Sequence, residues 1–267
     1  MGKRTEIRAR RRRQKVRRRV LIVVMMIGGA LLIAVALILP SILPGGNSET
    51  DQPDIVEITP RAINARVDGT TIGDPEAAVQ VDVWVDFQCP ACANFSQVVE
   101  TQIIQAYVES GTVFFRFHHF PFIDGSDVPE RGDARLYYIS TQEGAGESDQ
   151  AANASMCAGE QGRFWDFHDL LFVNWDGENE GAFNDQHLTA MAESLDLNMA
   201  DFEACFAENR YEDQIQQDFV DGVDIGVDFS TPSIFVNGQK VYSIEGERYV
   251  PSFDDVAAAI EAALAGE

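Results

Sequence analysis

A strict alternation that runs directly into a helical stripe, with two cysteines at the junction, constrains this chain more than any other feature. Val79, Val81, Val83, Val85 and Phe87 alternate with Gln80, Asp82, Trp84, Asp86 and Gln88. That period of two predicts a strand over 79–87. Cys92, Phe95, Val99, Ile103 and Ala106 then recur at spacings of three and four, which predicts a helix with one buried face. Cys89-Pro90-Ala91-Cys92 occupies the transition. Pro90 falls in the first helical turn, where its missing N–H costs nothing. Cys89 faces the free N–H groups at the positive end of the helix dipole, which favours thiolate over thiol. Cys92 lies one turn further in, placed to resolve a mixed disulfide. A C-x-x-C in this setting reads as a redox dithiol.

The remaining elements follow in order. Gly73-Asp74-Pro75 is a turn ahead of the cysteine-bearing strand. Thr112 to Phe120 reads as a second strand, ended by Pro121. From about 130 to 226 the chain is Ala-rich and acidic, with apolar residues at helical spacing. The stripes are Phe164, Phe167, His168 and Leu171; Leu188, Met191 and Leu195; and Phe202, Cys205 and Phe206. Four or five helices are expected there, with Glu143 to Gln150 as an exposed polar loop. Ser233 to Val236, the Asn237-Gly238 turn and Lys240 to Ile244 predict a hairpin. Ser252 opens a final helix with Asp255 as a capping-box partner, and its buried stripe is Phe253, Val256, Ile260 and Leu264.

Charge divides the chain. Residues 1–19 hold eleven Lys or Arg and one acid, Glu6, whereas the rest holds nine basic residues against 42 acidic ones. Val20 to Leu39 is twenty residues without a charge, long enough at 1.5 Å per residue to cross a hydrocarbon core of about 30 Å. The basic block predicts a cytoplasmic tail (1–19), a transmembrane anchor (20–39) and an exported remainder, so localisation at the cell membrane. A cleaved signal peptide is the competing reading. The apolar run is longer than an ordinary signal core and lacks a clear small-x-small site. Residues 40–66, with Pro40, Pro44, Gly45-Gly46, Pro53 and Pro60, read as a flexible linker. Residues 67–267 form the folded domain, with its helical insertion at about 125–226. Its acidity argues against nucleic acid as a partner.

Four cysteines in an exported domain are compatible with disulfides. Cys157 and Cys205 sit in separate helical stretches and read either as a structural bridge or as a second redox relay. A zinc site built from Cys89 and Cys92 would need a second close pair, and no second C-x-x-C exists, so no metal is expected. Of the histidines, His118 is a candidate for tuning the thiols and His168 reads as structural.

Four segments together resemble the DsbA-like thiol–disulfide oxidoreductases of the thioredoxin superfamily, over roughly residues 70–265. They are Gly73-Asp74-Pro75 leading into Val85–Cys92, then Phe120-Pro121-Phe122, then Gly162-Arg163-Phe164-Trp165 running on to Phe172, and Thr231-Pro232-Ser233-Ile234-Phe235-Val236-Asn237-Gly238. The resemblance implies an α/β thioredoxin-like fold, a central mixed sheet flanked by helices, with an all-helical insertion. It implies that Pro232 is cis and that Thr231 and Pro232 line the groove for client peptides. It implies no cofactor beyond the Cys89–Cys92 disulfide itself. Many members carry a buried acid six residues before the first cysteine, where this chain has Val83. Asp86 matches another family position and is the candidate for proton transfer in its place.

The function expected is the introduction of disulfides into folding exported proteins that carry cysteines, with a membrane oxidase restoring the enzyme. A reductase or isomerase on the same fold, or a non-catalytic peptide-binding module with a structural C-x-x-C, are the alternatives.

Overall fold

The computed structural model describes residues 53–124, 146–243 and 250–266. The basic tail, the apolar 20–39 run and most of the linker lie outside the described residues. Among the described residues no helix is long and apolar enough to cross a membrane.

Six strands form one mixed sheet in the order β1-β2-β4-β3-β5-β6. β1 is Val67–Asp68, β2 Thr71–Ile72, β3 Val79–Val85, β4 Val113–His119, β5 Ser233–Val236 and β6 Gln239–Lys240. β3 and β4 run parallel with Val83 opposite Phe117, and β5 lies antiparallel on the other side of β3. A parallel pair needs a crossover. Here it is α1, a continuous helical run made of Pro90–Phe95, Ser96–Glu100, Thr101–Ile103 and Ile104–Val108, with the second and fourth segments in π geometry. Among the described residues five helices lie between β4 and β5: α2 Glu147–Gly159, α3 Phe164–Val173, α4 Asp185–Ser194, α5 Met199–Ala207 and α6 Glu212–Ile225. α7, Phe253–Ala265, closes the domain.

The alternation of β3 sorts its side chains onto two cores. Val79, Val81, Val83 and Val85 join Phe117 of β4, Cys92 and Phe95 of α1 and the aromatic residues of α3. Trp84 lies in the other core with Phe120, Phe219 of α6 and Phe235. Gly222 lets α6 come close to the sheet, since a Cβ there would lie 2.7 Å from Trp84 Cδ1 and 2.9 Å from Phe120 Cδ2.

Several expectations change at their edges. The first strand stops at Val85, because Asp86 to Gln88 turn into the start of α1. The return strand of the hairpin is only Gln239–Lys240, and 244–249 lie outside the described residues. Residues 147–150 are not an exposed loop. They form the first turn of α2, with Ser148 and Asp149 buried, because Asp124 accepts from both of their backbone N–H groups at 2.9 and 3.0 Å and so caps the helix from outside it. The capping box of α7 is present, with Ser252 and Asp255 bonded reciprocally. Val256 and Ile260 are buried, but Leu264 lies in the last turn and is 47 % exposed, so the stripe ends a turn early.

Residues 53–66, the described part of the expected linker, contain no helix or strand. They are nonetheless docked. Ile55, Ile58 and Ile63 pack on the core, Val56 and Asn174 exchange two hydrogen bonds, and Arg61 is paired with Glu100 and Asp169. Proline spacing reports the lack of regular structure but not whether the strap is held.

Candidate active site

The end of β3 and the start of α1 position the two cysteines. Cys89 is the N-cap of α1, in an extended conformation, and Pro90 is the first helical residue. The Cys89 backbone N–H donates to Asp86 O at 3.1 Å, while Cys89 O accepts from Cys92 and Ala93. Ala91 supplies one of the backbone N–H groups at the helix tip. Both thiols are free. Cys89 is only 7 % exposed, so this helix start does not face solvent, and its Sγ lies against the loop at Thr231. Cys92 is completely buried. The Thr231–Pro232 peptide is cis, and Cys89 Sγ donates to Thr231 O at 3.3 Å.

The two thiols are driven apart. A hydrogen bond from the Cys92 side chain, then the Thr231 side chain and the backbone N–H groups of Cys92 and Ala91, lower Cys89 from 9.0 to about 6 against the opposing effect of burial. Burial, followed by the hydrogen bond and charge of Cys89, pushes Cys92 well above its ordinary value. The two thiols thus differ in proton affinity: Cys89 has the character of a nucleophile and good leaving group, and Cys92 holds its proton.

Asp86 is fully buried. Its carboxylate accepts from the N–H of Gln88, Phe122 and Ile123 and from Ser148 Oγ at 2.6 Å. Burial pushes its pKa up to about 7, opposed by the Ser148 bond and assisted by nearby Asp124. Three of the four partners are backbone N–H donors and the fourth is a hydroxyl that can also accept, and together they fasten the loop after β4 to α2. The bonds describe a brace, and a carboxyl raised to about 7 can exchange a proton near neutral pH, as the role expected of Asp86 requires.

His118 pairs with Asp82 at 3.0 Å and Asp218 at 3.4 Å and stacks on Trp84, with ring centroids 4.3 Å apart. Neither cysteine is among its partners. The parallel register puts it beside Trp84, on the sheet face opposite Val83 and Phe117, so its contacts give it no route to the thiols. Burial opposes protonation, but the bonds to Asp218 and Asp82 outweigh it and raise His118 to about 9.

Cys157 and Cys205 form a disulfide with Cα atoms 5.8 Å apart, tying α2 to α5. Among the described residues no group of three or more His, Cys, Asp or Glu side chains could hold a metal ion.

The sequence reading missed a polar brace behind the motif. Gln88 Nε2 donates to Asp124 and Ser148, Gln88 Oε1 accepts from Asn179 N–H, and Trp175 Nε1 donates to Gln88 O at 2.7 Å. Its members are 36 to 91 residues from Gln88 in sequence. Only the position of Gln88 beside the motif could have drawn attention to them.

A sheet, a helix-tip dithiol and a cis-proline loop together define a thioredoxin-type redox site. The profile of the thioredoxin family matches residues 65–262, and the chain belongs to that family. Its described residues add an all-helical insertion between β4 and β5. Oxidised BdbD of Bacillus subtilis superimposes with a TM-score of 0.56 at 21 % identity, covering 80 % of this chain and 100 % of that one. Among curated relatives, "Na(+)/H(+) antiporter NhaA 1" of Salinispora arenicola is 29 % identical over 73 % of this chain and 24 % of its own length. The chain therefore spans about a quarter of such antiporters. "Probable disulfide bond formation protein D" of Bacillus anthracis is 24 % identical over 73 % of this chain and 77 % of its own length.

Proposed function

We propose that this chain is a membrane-anchored, extracytoplasmic thiol–disulfide oxidoreductase that donates its Cys89–Cys92 disulfide to cysteine-bearing exported proteins. One observation carries the reading. The cysteine that caps the helix is the stabilised thiolate, and the one a turn further in is not. A structural C-x-x-C has no need of that difference.

In the oxidising direction a client thiolate attacks Sγ of Cys89. The Cys89–Cys92 bond breaks and its electron pair leaves on Cys92, which takes up a proton. A second client thiolate then attacks the client sulfur of the mixed disulfide and releases Cys89 as a thiolate. Two electrons pass from the client dithiol to the enzyme, and the client leaves with a disulfide. The low proton affinity of Cys89 makes it the better leaving group in this second step. Thr231 and Pro232, over Cys89, shape the groove in which an extended client backbone lies. Reoxidation falls to a membrane oxidase. The uncharged 20–39 run beside a basic tail supports the anchored, outward-facing placement.

Trapping tests the proposal. Cys92→Ala should accumulate mixed disulfides with exported proteins through Cys89, and Cys89→Ala should accumulate none. Equal trapping by both variants would overturn it.

A further inference from the structure

The strap ahead of the family-matched region lays a half-buried cation against the helix that carries the dithiol. Arg61 lies upstream of residue 65, where the family match begins. Its Nη2 is 2.8 Å from Glu100 Oε1 and 3.0 Å from Asp169 Oδ1, and its guanidinium lies over the Trp165 ring at 5.4 Å. Glu100 is completely buried, as is His168, whose Nε2 is 3.7 Å from Glu100 Oε2.

Cys92, Ser96 and Glu100 follow one another at spacings of four and are all buried, so they share the inner face of α1. At a rise of about 1.5 Å per residue, Glu100 lies roughly 12 Å along the axis from Cys92 and roughly 16 Å from Cys89. A buried carboxylate there, without Arg61, would be an uncompensated charge facing the dithiol through protein rather than water. The cluster is also incompletely bonded. Arg61 Nε, Glu100 Oε2, Trp165 Nε1, His168 Nε2 and both ring nitrogens of His119 are buried without a hydrogen-bond partner among the described residues. Groups so placed are not there for packing, since an apolar set of the same volume would be less costly.

We propose that Arg61 is a positioning residue of the redox site: the strap delivers its guanidinium to Glu100, and that pairing sets the electrostatic environment of the helix bearing Cys89 and Cys92. The strap is then part of the redox unit as well as a tether. The charged and titratable groups facing the pair are Asp166, His168 and Asp169 from α3, with His119 of β4 beside His168. The inference rests on the reading of Cys89 as the reactive thiolate.

The experiment is the pH profile of Cys89 alkylation in the reduced, folded domain, compared across variants. Arg61→Ala should move the profile to higher pH by about half a unit, a roughly threefold loss of rate near pH 5. Glu100→Gln should move it to lower pH by a similar amount. The Arg61→Ala/Glu100→Gln double variant should return it close to the parent. Opposite signs with mutual rescue are what charge coupling produces, and a merely structural strap would not produce them. If Arg61→Ala does not fold, Glu100→Gln and the double variant still carry the sign and the return. Variants that leave the profile unmoved, or shift it in one direction only, overturn the inference. A parent protein with no acid-shifted thiol would instead overturn the function proposed above.

Discussion

His118 shows what one residue contributes when its partners are named. Its pKa is raised from 6.5 to about 9 by Asp218 and Asp82. A group raised on folding contributes stability that is fully present below its unfolded pKa and is lost as pH rises through the folded value. His118→Gln should therefore lower the melting temperature at pH 6, with the difference from the parent shrinking as the pH passes 9. A constant difference across that window would mean that packing on Trp84, and not charge, is what His118 supplies. At this level the sequence was legible where chemistry is local. Cys89, Pro90 and Cys92 could be placed from a strand pattern, a helical stripe and a first-turn proline. Arg61 could not, because the partner that gives it meaning, Glu100, is 39 residues away and looks like any acid on a helix. His118 drew attention as a histidine near a motif, but strand pairing turned it to the other face.

Among the elements, α6 and α2 carry the sharpest expectations. Gly222 is the point of closest approach between α6 and the sheet, with no room for a methyl group beside Trp84 and Phe120. Gly222→Ala should destabilise by about 1–3 kcal/mol through overpacking, in spite of the better helix propensity of alanine. A gain in stability on denaturant unfolding would contradict that packing. The Cys157–Cys205 bridge closes a 48-residue separation between α2 and α5. Cys157→Ser should cost about 4 kcal/mol on the chain-entropy view while leaving thiol exchange by Cys89 intact. Loss of exchange in a folded variant would indicate a relay. Periodicity located α3, α4, α5 and the final helix, and gave no stripe for α2 or α6. It misjudged the start of α2, because the carboxylate that caps it, Asp124, lies outside the helix and was invisible to a search for local caps.

The whole molecule joins a reactive helix tip to a sheet, an insertion that braces Gln88 from behind, and a strap held by a buried ion pair. Its chemistry depends on one difference, the proton affinity of Cys89 against that of Cys92. Lowering Cys89 from 9.0 to about 6 stabilises the reduced form. The sign follows from the depressed pKa: the stabilisation is complete above about pH 9 and disappears as pH falls through 6. At pH 7 it favours the reduced form by on the order of 1 kcal/mol, roughly 20–30 mV toward a more oxidising dithiol. Equilibration of the domain with glutathione buffers from pH 5 to 9 measures this directly. The potential should become progressively more oxidising, relative to a dithiol of unshifted thiols, as pH rises above 6, and Cys89 and Cys92 should be readily reduced at pH 7. A dithiol that tracks ordinary thiols across the whole range, or resists reduction as a structural bridge does, would contradict the assignment of Cys89 as a stabilised thiolate.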